Sequence, residues 1–304
     1  MDTTLPKISI VTPSFNQSRF LEATIQSVLL QGYPNLEYII IDGGSTDSSR
    51  EIIKKYHTHL SFWRSEPDAG QYDAINQGFA HATGEIMAWL NSDDLYFPWT
   101  LATVASIMTR FPEIAWLTTM TPCFFDASGI CTGVQPLPGF SREAFLDGRY
   151  VPWGNNRIGW IQQESTFWRR ELWENIGGKI SEETGLAGDF DLWCRFYEVT
   201  ELYGTPCLLA GFRSHAQQRS VQSQAYRDEA LASLERMRSK QHWVKTPPED
   251  YWARKIGLQH LPMIGKHFPA APKRYAGKKI VRSMSETSEM SWKIETIEFV
   301  AYDE

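Results

Sequence analysis

Four cysteines in 304 residues, Cys123, Cys131, Cys194 and Cys207, form no CxxC pair, and seven histidines never join them at zinc-ligand spacing. Structural zinc is therefore disfavoured, and free thiols in a reducing compartment are the economical expectation. No run approaches the roughly eighteen apolar residues of a membrane span. Met1 to Lys7 lacks the basic-then-apolar order of a signal peptide, so a cytoplasmic location is expected. An excess of positive charge is missing as well. With 30 Lys and Arg against 36 Asp and Glu the net charge is -6, which gives no general pull toward nucleic acid. The commonest cofactor and nucleophile signatures are absent too. The turn after the first apolar run, Thr12 to Gln17, holds no glycine, which disfavours a dinucleotide fold, and no P-loop, G-x-S-x-G elbow or H-E-x-x-H occurs.

What is present is an alternation of short apolar runs and helical patterns, each run ending in a polar loop. Ile8 to Val11 leads into Thr12 to Gln17, and Leu36 to Ile41 leads into Asp42-Gly43-Gly44-Ser45-Thr46-Asp47. Leu60 to Ser65 precedes Glu66-Pro67-Asp68-Ala69-Gly70, and Glu85 to Leu90 runs into Asn91-Ser92-Asp93-Asp94. Helical spacing over 19–31, 49–56 and 73–82 separates them. This βαβα order requires right-handed crossovers and a parallel sheet. Further helices are expected over 101–111, 170–176, 189–203 and 225–243, and strands over 114–120, 123–126, 165–168 and 206–212. Pro136 to Gly154 reads as irregular. The domain expectation is one α/β unit over 1–240, with a donor half (1–98) and an acceptor half (99–240), followed by an extension over 241–304.

Open α/β sheets bind ligands at the carboxyl ends of their strands. Two adjacent carboxylates there, Asp93 and Asp94, suit a hard divalent cation bridging phosphates, with an acidic surface turn as the plain alternative. Asp42 beside two glycines suits a ribose hydroxyl or base imide, with helix capping as its alternative. Asp189 and Asp191 open an aromatic-rich helix and, two residues apart, point different ways, so at most one enters a cleft. His215, after a late strand, is within sequence reach of a metal or phosphate.

Taken together, Ile8-Ser-Ile-Val-Thr-Pro-Ser-Phe-Asn16, Ile41-Asp-Gly-Gly-Ser-Thr-Asp47, Glu66-Pro-Asp-Ala-Gly70, Asp73-Ala-Ile-Asn-Gln-Gly78, Trp89-Leu-Asn-Ser-Asp-Asp94 and Gly188-Asp-Phe-Asp-Leu192 resemble the family 2 glycosyltransferases. The resemblance spans about residues 6 to 220. It implies a GT-A fold and inverting transfer from a nucleoside diphosphate sugar to a carbohydrate or lipid-linked acceptor, assisted by Mg²⁺ or Mn²⁺. The implied donor-side set is Thr12, Pro13, Ser14, Asn16, Asp42, Asp68, Gly70, Asn76, Asn91 and Ser92. Asp93, with Asp94 and His215, is implied at the metal or diphosphate. Asp189 is the implied base with Asp191 in support, and Gln162, Gln163 and Glu164 line the acceptor side.

Two positions depart from the family pattern. Asn91 stands where the first acid of a D-x-D is usual, and Gly188 stands where a glutamate precedes the base. These losses keep a catalytically silent sugar-binding protein in play. A sugar nucleotidyltransferase is the other rival, although its glycine- and basic-rich opening is not evident. Lys266, Lys273, Arg274, Lys278, Lys279 and Arg282 lie among aromatics near the end of the chain. They offer a peripheral contact with an anionic membrane face, against the plainer reading of a solvated charge run.

Overall fold

Strands buried on both faces of a parallel sheet read as unbroken apolar runs rather than alternating ones. Both Ile8–Ser14 and Leu36–Asp42 follow that rule: the first is buried throughout and the second over its last five residues. In the computed structural model, which describes residues 5–154, 158–181, 183–216, 218–244, 273–284 and 290–301, they form β1 and β2. The first half runs β1, α1 (Ser18–Leu29), β2, α2 (Ser49–Lys55), β3 (Phe62–Ser65), α3 (Gln71–His81), β4 (Ile86–Trp89), β5 (Leu95–Tyr96) and α4 (Thr100–Arg110). Then follow β6 (Trp116–Thr119), β7 (Cys123–Phe125), β8 (Cys131–Val134), α5 (Arg142–Leu146), β9 (Phe167–Arg169), α6 (Arg170–Asn175) and α7 (Gly188–Val199). The last described elements are β10 (Tyr203–Thr205), β11 (Ala210–Arg213), α8 (Ser223–Lys240), β12 (Lys273–Met284) and β13 (Met290–Ala301).

The result is a mixed α/β fold with a large, mostly parallel central sheet flanked by helices. Its nine strands lie in the order β13-β12-β10-β6-β9-β4-β1-β2-β3, and a second sheet has the order β5-β11-β7-β8. Strand β1 pairs parallel with β2 and β4, and β2 with β3, so the loops after these four strands open on one side. Strand β9 runs against both β4 and β6. Behind them sits an aromatic core in which Trp89 stacks on Trp193 at 6.2 Å and meets Trp168 edge-on at 5.6 Å. Many of the chain's aromatics are therefore core rather than pocket wall.

Two expectations change. The helix predicted over 189–203 stops at Val199, because Thr200 turns extended (φ -152, ψ 167), and Tyr203 begins a strand. The segment read as irregular contains α5. Within the expected extension over 241–304, the described strand β12 pairs parallel with β10 and carries β13 as the sheet's edge. Thr246-Pro247-Pro248, Pro262, Lys266, Pro269 and Pro272 lie outside the described residues. Of the basic residues among aromatics, Lys273 bonds Asp147 (2.6 Å) and Glu143 (2.9 Å), and Arg282 lies 4.8 Å over the Trp292 ring. The helices carry no segment long and apolar enough to cross a membrane among the described residues.

Candidate active site

The loop after β1 and the loop after β2 are laced together. Asn16, held at φ 52, accepts the Thr46 N–H at 2.9 Å through its side chain, and its own N–H donates to Ser45 Oγ at 2.7 Å. Asp42 is fully buried and accepts three hydrogen bonds, from Ser45 N (2.9 Å), Ser45 Oγ (2.5 Å) and Ser65 Oγ (2.7 Å). It therefore shapes the loop, while Asp47 accepts the Ser49 N–H at the start of α2 (2.9 Å). Asp68 lies against Gly43, where an added Cβ would stand 2.9 Å from its carboxylate, and it accepts the Gly70 N–H at 2.8 Å. Burial raises the Asp68 pKa. Thr12 is buried with its hydroxyl 3.1 Å from Tyr38 Oη, and Pro13 is buried beside it. Ser14 keeps a buried hydroxyl with no partner among the described residues. Gly70 takes φ +115 at the start of α3, a left-handed conformation that favours glycine.

One expected donor residue is placed elsewhere. Asn76 accepts Ile180 N at 2.8 Å and donates to Ile180 O at 3.1 Å, so its amide clamps α3 to the segment leading into α7. The side chain thereby bonds both backbone groups of one residue, a structural role between α3 and the approach to α7.

After β4 the two aspartates separate in role. Asp94 is buried, accepting Arg213 N at 2.9 Å through one oxygen and Asn91 Nδ2 at 3.2 Å through the other. Asp93 keeps an 18% exposed side chain and meets His215 Nε2 at 2.9 Å. Asn91 also donates to Gln163 Oε1 at 3.0 Å and accepts from Gln71 Nε2 at 2.7 Å. An aspartate there could not donate to either acceptor, which is the physical reason for the missing first acid. Ser92 is buried, its carbonyl accepting from Thr24 Oγ1 at 2.9 Å.

Gln162 is spent on Cys123 O (2.9 Å) and Ser165 Oγ (3.0 Å), so it holds β7 rather than facing an acceptor. Glu164 is buried with one oxygen lacking any partner among the described residues. Burial first, then the charges of Asp93 and Asp189, push its carboxyl up to about 8. Among the described residues no three His, Cys, Asp or Glu side chains gather as a metal-binding group. The pair Asp93 and His215 nevertheless suits a divalent ion that takes its remaining ligands from diphosphate oxygens and water.

Asp189 and Asp191 diverge as their spacing predicts. Asp189 Oδ1 accepts hydrogen bonds from Phe190 N and Tyr226 Oη, at 2.8 Å each. Burial pushes this carboxyl up to about 6. Asp191 is buried and bonded to Arg195 Nε (3.1 Å) and Arg236 Nη2 (3.0 Å), an ion-pair triad between α7 and α8 that occupies both its oxygens. Gly188 has its own reason: an added Cβ would stand 2.7 Å from the Tyr72 ring, so a glutamate does not fit. Tyr72 Oη accepts the Gly188 N–H at 2.9 Å and donates to Leu186 O. Tyr72 and Tyr226 escaped the sequence reading because each sits inside a helix, and their partners are more than 35 residues away.

A model of glycosyl transferase family 2 matches residues 9–123. Over 214 residues the chain is 31% identical to an uncharacterized glycosyltransferase of Mycobacterium tuberculosis, an overlap of 69% of this chain and 76% of that one. The chain belongs to glycosyl transferase family 2. This family 2 enzyme is also 28% identical over 198 residues to the putative glycosyltransferase EpsE of Bacillus subtilis, covering 64% of this chain and 67% of the relative. Among solved structures it resembles S. aureus TarS in complex with UDP-GlcNAc, at TM-score 0.57 and 16% identity, covering 81% of this chain and just under two thirds, 64%, of that one. The mannosyltransferase PcManGT from Pyrobaculum calidifontis, in complex with GDP-Man and Mn²⁺, matches at TM-score 0.51 and 17% identity over 87% of this chain and 84% of that one. At such identities the likeness is one of fold. Membership makes the chain a nucleotide-sugar-dependent glycosyltransferase rather than a nucleotidyltransferase.

Proposed function

We propose that this enzyme, in a GT-A-type arrangement, transfers a sugar with inversion from a nucleoside diphosphate donor to a hydroxyl of a carbohydrate or lipid-linked acceptor. Asp189 takes the proton from the acceptor hydroxyl. The oxygen attacks the anomeric carbon from the face opposite the diphosphate, the new C–O bond forms, and the bond to the leaving phosphate oxygen breaks. No enzyme nucleophile enters, so one displacement leaves the configuration inverted. The loops of Asn16, Asp42 and Asp68 form the nucleotide side.

Asp93 and His215 would hold Mg²⁺ or Mn²⁺, and such an ion supplies positive charge against the departing diphosphate. Asp94 leaves the ligand set, since its oxygens are engaged by Arg213 and Asn91. Asp191 leaves the catalytic set for the same kind of reason.

The observation that carries this reading is a hydrogen-bonded path from Asn91, two residues before Asp93, through Gln71 to Arg219, which also bonds Gly185 O on the approach to α7 and Asp189. The diphosphate side and the base thus share one neighbourhood, as a single displacement demands.

The test begins with a thermal-shift panel of UDP, GDP, dTDP and CMP sugars, with and without Mn²⁺, to find the donor. The Asp189→Asn variant is then assayed for diphosphate release. It should bind the donor nearly as well as the parent and lose at least about a hundredfold in turnover, the lower range for a general base. Normal turnover in that variant sinks the assignment.

A further inference from the structure

The base stands at the start of α7 without the glutamate that the family pattern places before it, yet a carboxylate reaches the same helix start from elsewhere. Glu229 on α8 accepts the N–H groups of Leu186 (2.8 Å) and Ala187 (2.9 Å) through one oxygen. Those donors belong to the turn entering α7, where backbone N–H groups lack helical partners and favour negative charge. One turn earlier on α8, at the i,i+3 spacing that puts two side chains on one face, Tyr226 donates to Asp189 Oδ1. The Tyr226 ring is met edge-on by Trp153 at 5.4 Å, which limits its swing. Tyr72, from α3, closes the opposite side by bonding Gly188 N and Leu186 O.

We infer that Tyr226 and Glu229 are positioning residues for the base: Glu229 fixes the start of α7, and Tyr226 occupies Asp189 Oδ1 so that Oδ2 is the oxygen presented to the acceptor. The inference rests on the assignment of Asp189 as base. It names a device on α8, far along the chain, that takes over the place of the missing glutamate. The proton from the acceptor hydroxyl goes to Oδ2, while the Tyr226 hydroxyl and the Phe190 N–H stay on Oδ1 and stabilise the ionised form before attack. Both donors favour the carboxylate over the acid.

The test uses the whole chain with the donor found in the thermal-shift panel. Diphosphate release is followed against pH in the parent, Tyr226→Phe, Glu229→Ala and Glu229→Gln, and the Asp189 carboxyl is titrated by ¹³C NMR. Loss of the Tyr226 hydroxyl removes one hydrogen bond to the ionised form, so the acid limb and the NMR titration of Asp189 should both move to higher pH, by about half a unit to one unit. Donor KM should stay within about twofold, since Tyr226 touches the base and not the donor loops. Glu229→Ala should lower kcat at every pH, and Glu229→Gln, which keeps an oxygen for the two N–H groups, should recover most of it. If Asp189→Asn turns over normally, the base assignment and this inference fall together. If Asp189→Asn is dead while Tyr226→Phe leaves the limb and the titration unmoved, only Tyr226 leaves the set. Equal loss in both Glu229 variants removes Glu229.

Discussion

At the residue scale, the two departures from the family pattern follow from what their neighbours require. Asn91 donates to Asp94 and Gln163 while accepting from Gln71, a pattern that only an amide satisfies in full. Replacing it with aspartate puts a carboxylate against the buried Asp94, already pushed up by burial and by Glu164 and Asp93. The Asn91→Asp variant should lose about 1–3 kcal/mol of stability in urea unfolding at pH 7. Part of the loss should return as the pH falls and the paired acids come to share a proton. Equal stability at pH 7 would mean the amide bonds at Asn91 contribute nothing. The positions of Asp93, Asp189 and the Asn16 loop in the fold were legible in the sequence because a polar residue at the end of a buried strand or the start of a helix has few places to go. Asn76, Gln162 and Asp191 were not, because each is satisfied by a partner distant in sequence, and residue type alone does not say whether a buried amide or acid finds one.

At the element scale, the parallel half was readable because its strands are apolar runs ending in glycine, proline or aspartate. Most of the later half was readable as well, with β6, β7, β9, β11, α4, α6 and α8 falling on or near their expected ranges, but β10 was not. Tyr203–Thr205 is three residues long and abuts a helix without a break in composition, and what identifies it is tertiary: a Cβ on Gly204 would stand 2.5 Å from Met120. Strands β12 and β13 alternate buried and exposed residues only in part, which leaves a weak period-two signal in the sequence. Their attachment is polar as well as apolar. Lys273 and Tyr275 Oη both reach Asp147 Oδ2 at 2.6 Å, and Arg149 Nε donates to Tyr275 Oη at 3.1 Å. Removing the cation leaves a buried carboxylate with a hydroxyl alone. Lys273→Ala should therefore cost about 3 kcal/mol, read as faster amide exchange across β12 and β13 while β1, β2 and β4 keep their protection. Uniform loss of protection would mean the hairpin and the parallel half open as one unit.

At the scale of the whole molecule, catalysis and stability pull against each other at Asp189. Burial pushes its carboxyl from 3.8 up to about 6, so the folded chain holds this proton more tightly than the unfolded one. The stability this contributes is complete below about 3.8 and is lost as pH rises through about 6. The base works only once the proton has gone. Turnover should accordingly fall about tenfold per unit below pH 6, while the same titration makes the fold less stable above it. Asp189→Asn has no such step. In urea unfolding its stability relative to the parent should rise between pH 4 and pH 7 and then level off. A difference independent of pH would show that Asp189 titrates alike in the folded and unfolded chains, and that the ionised base costs the fold nothing.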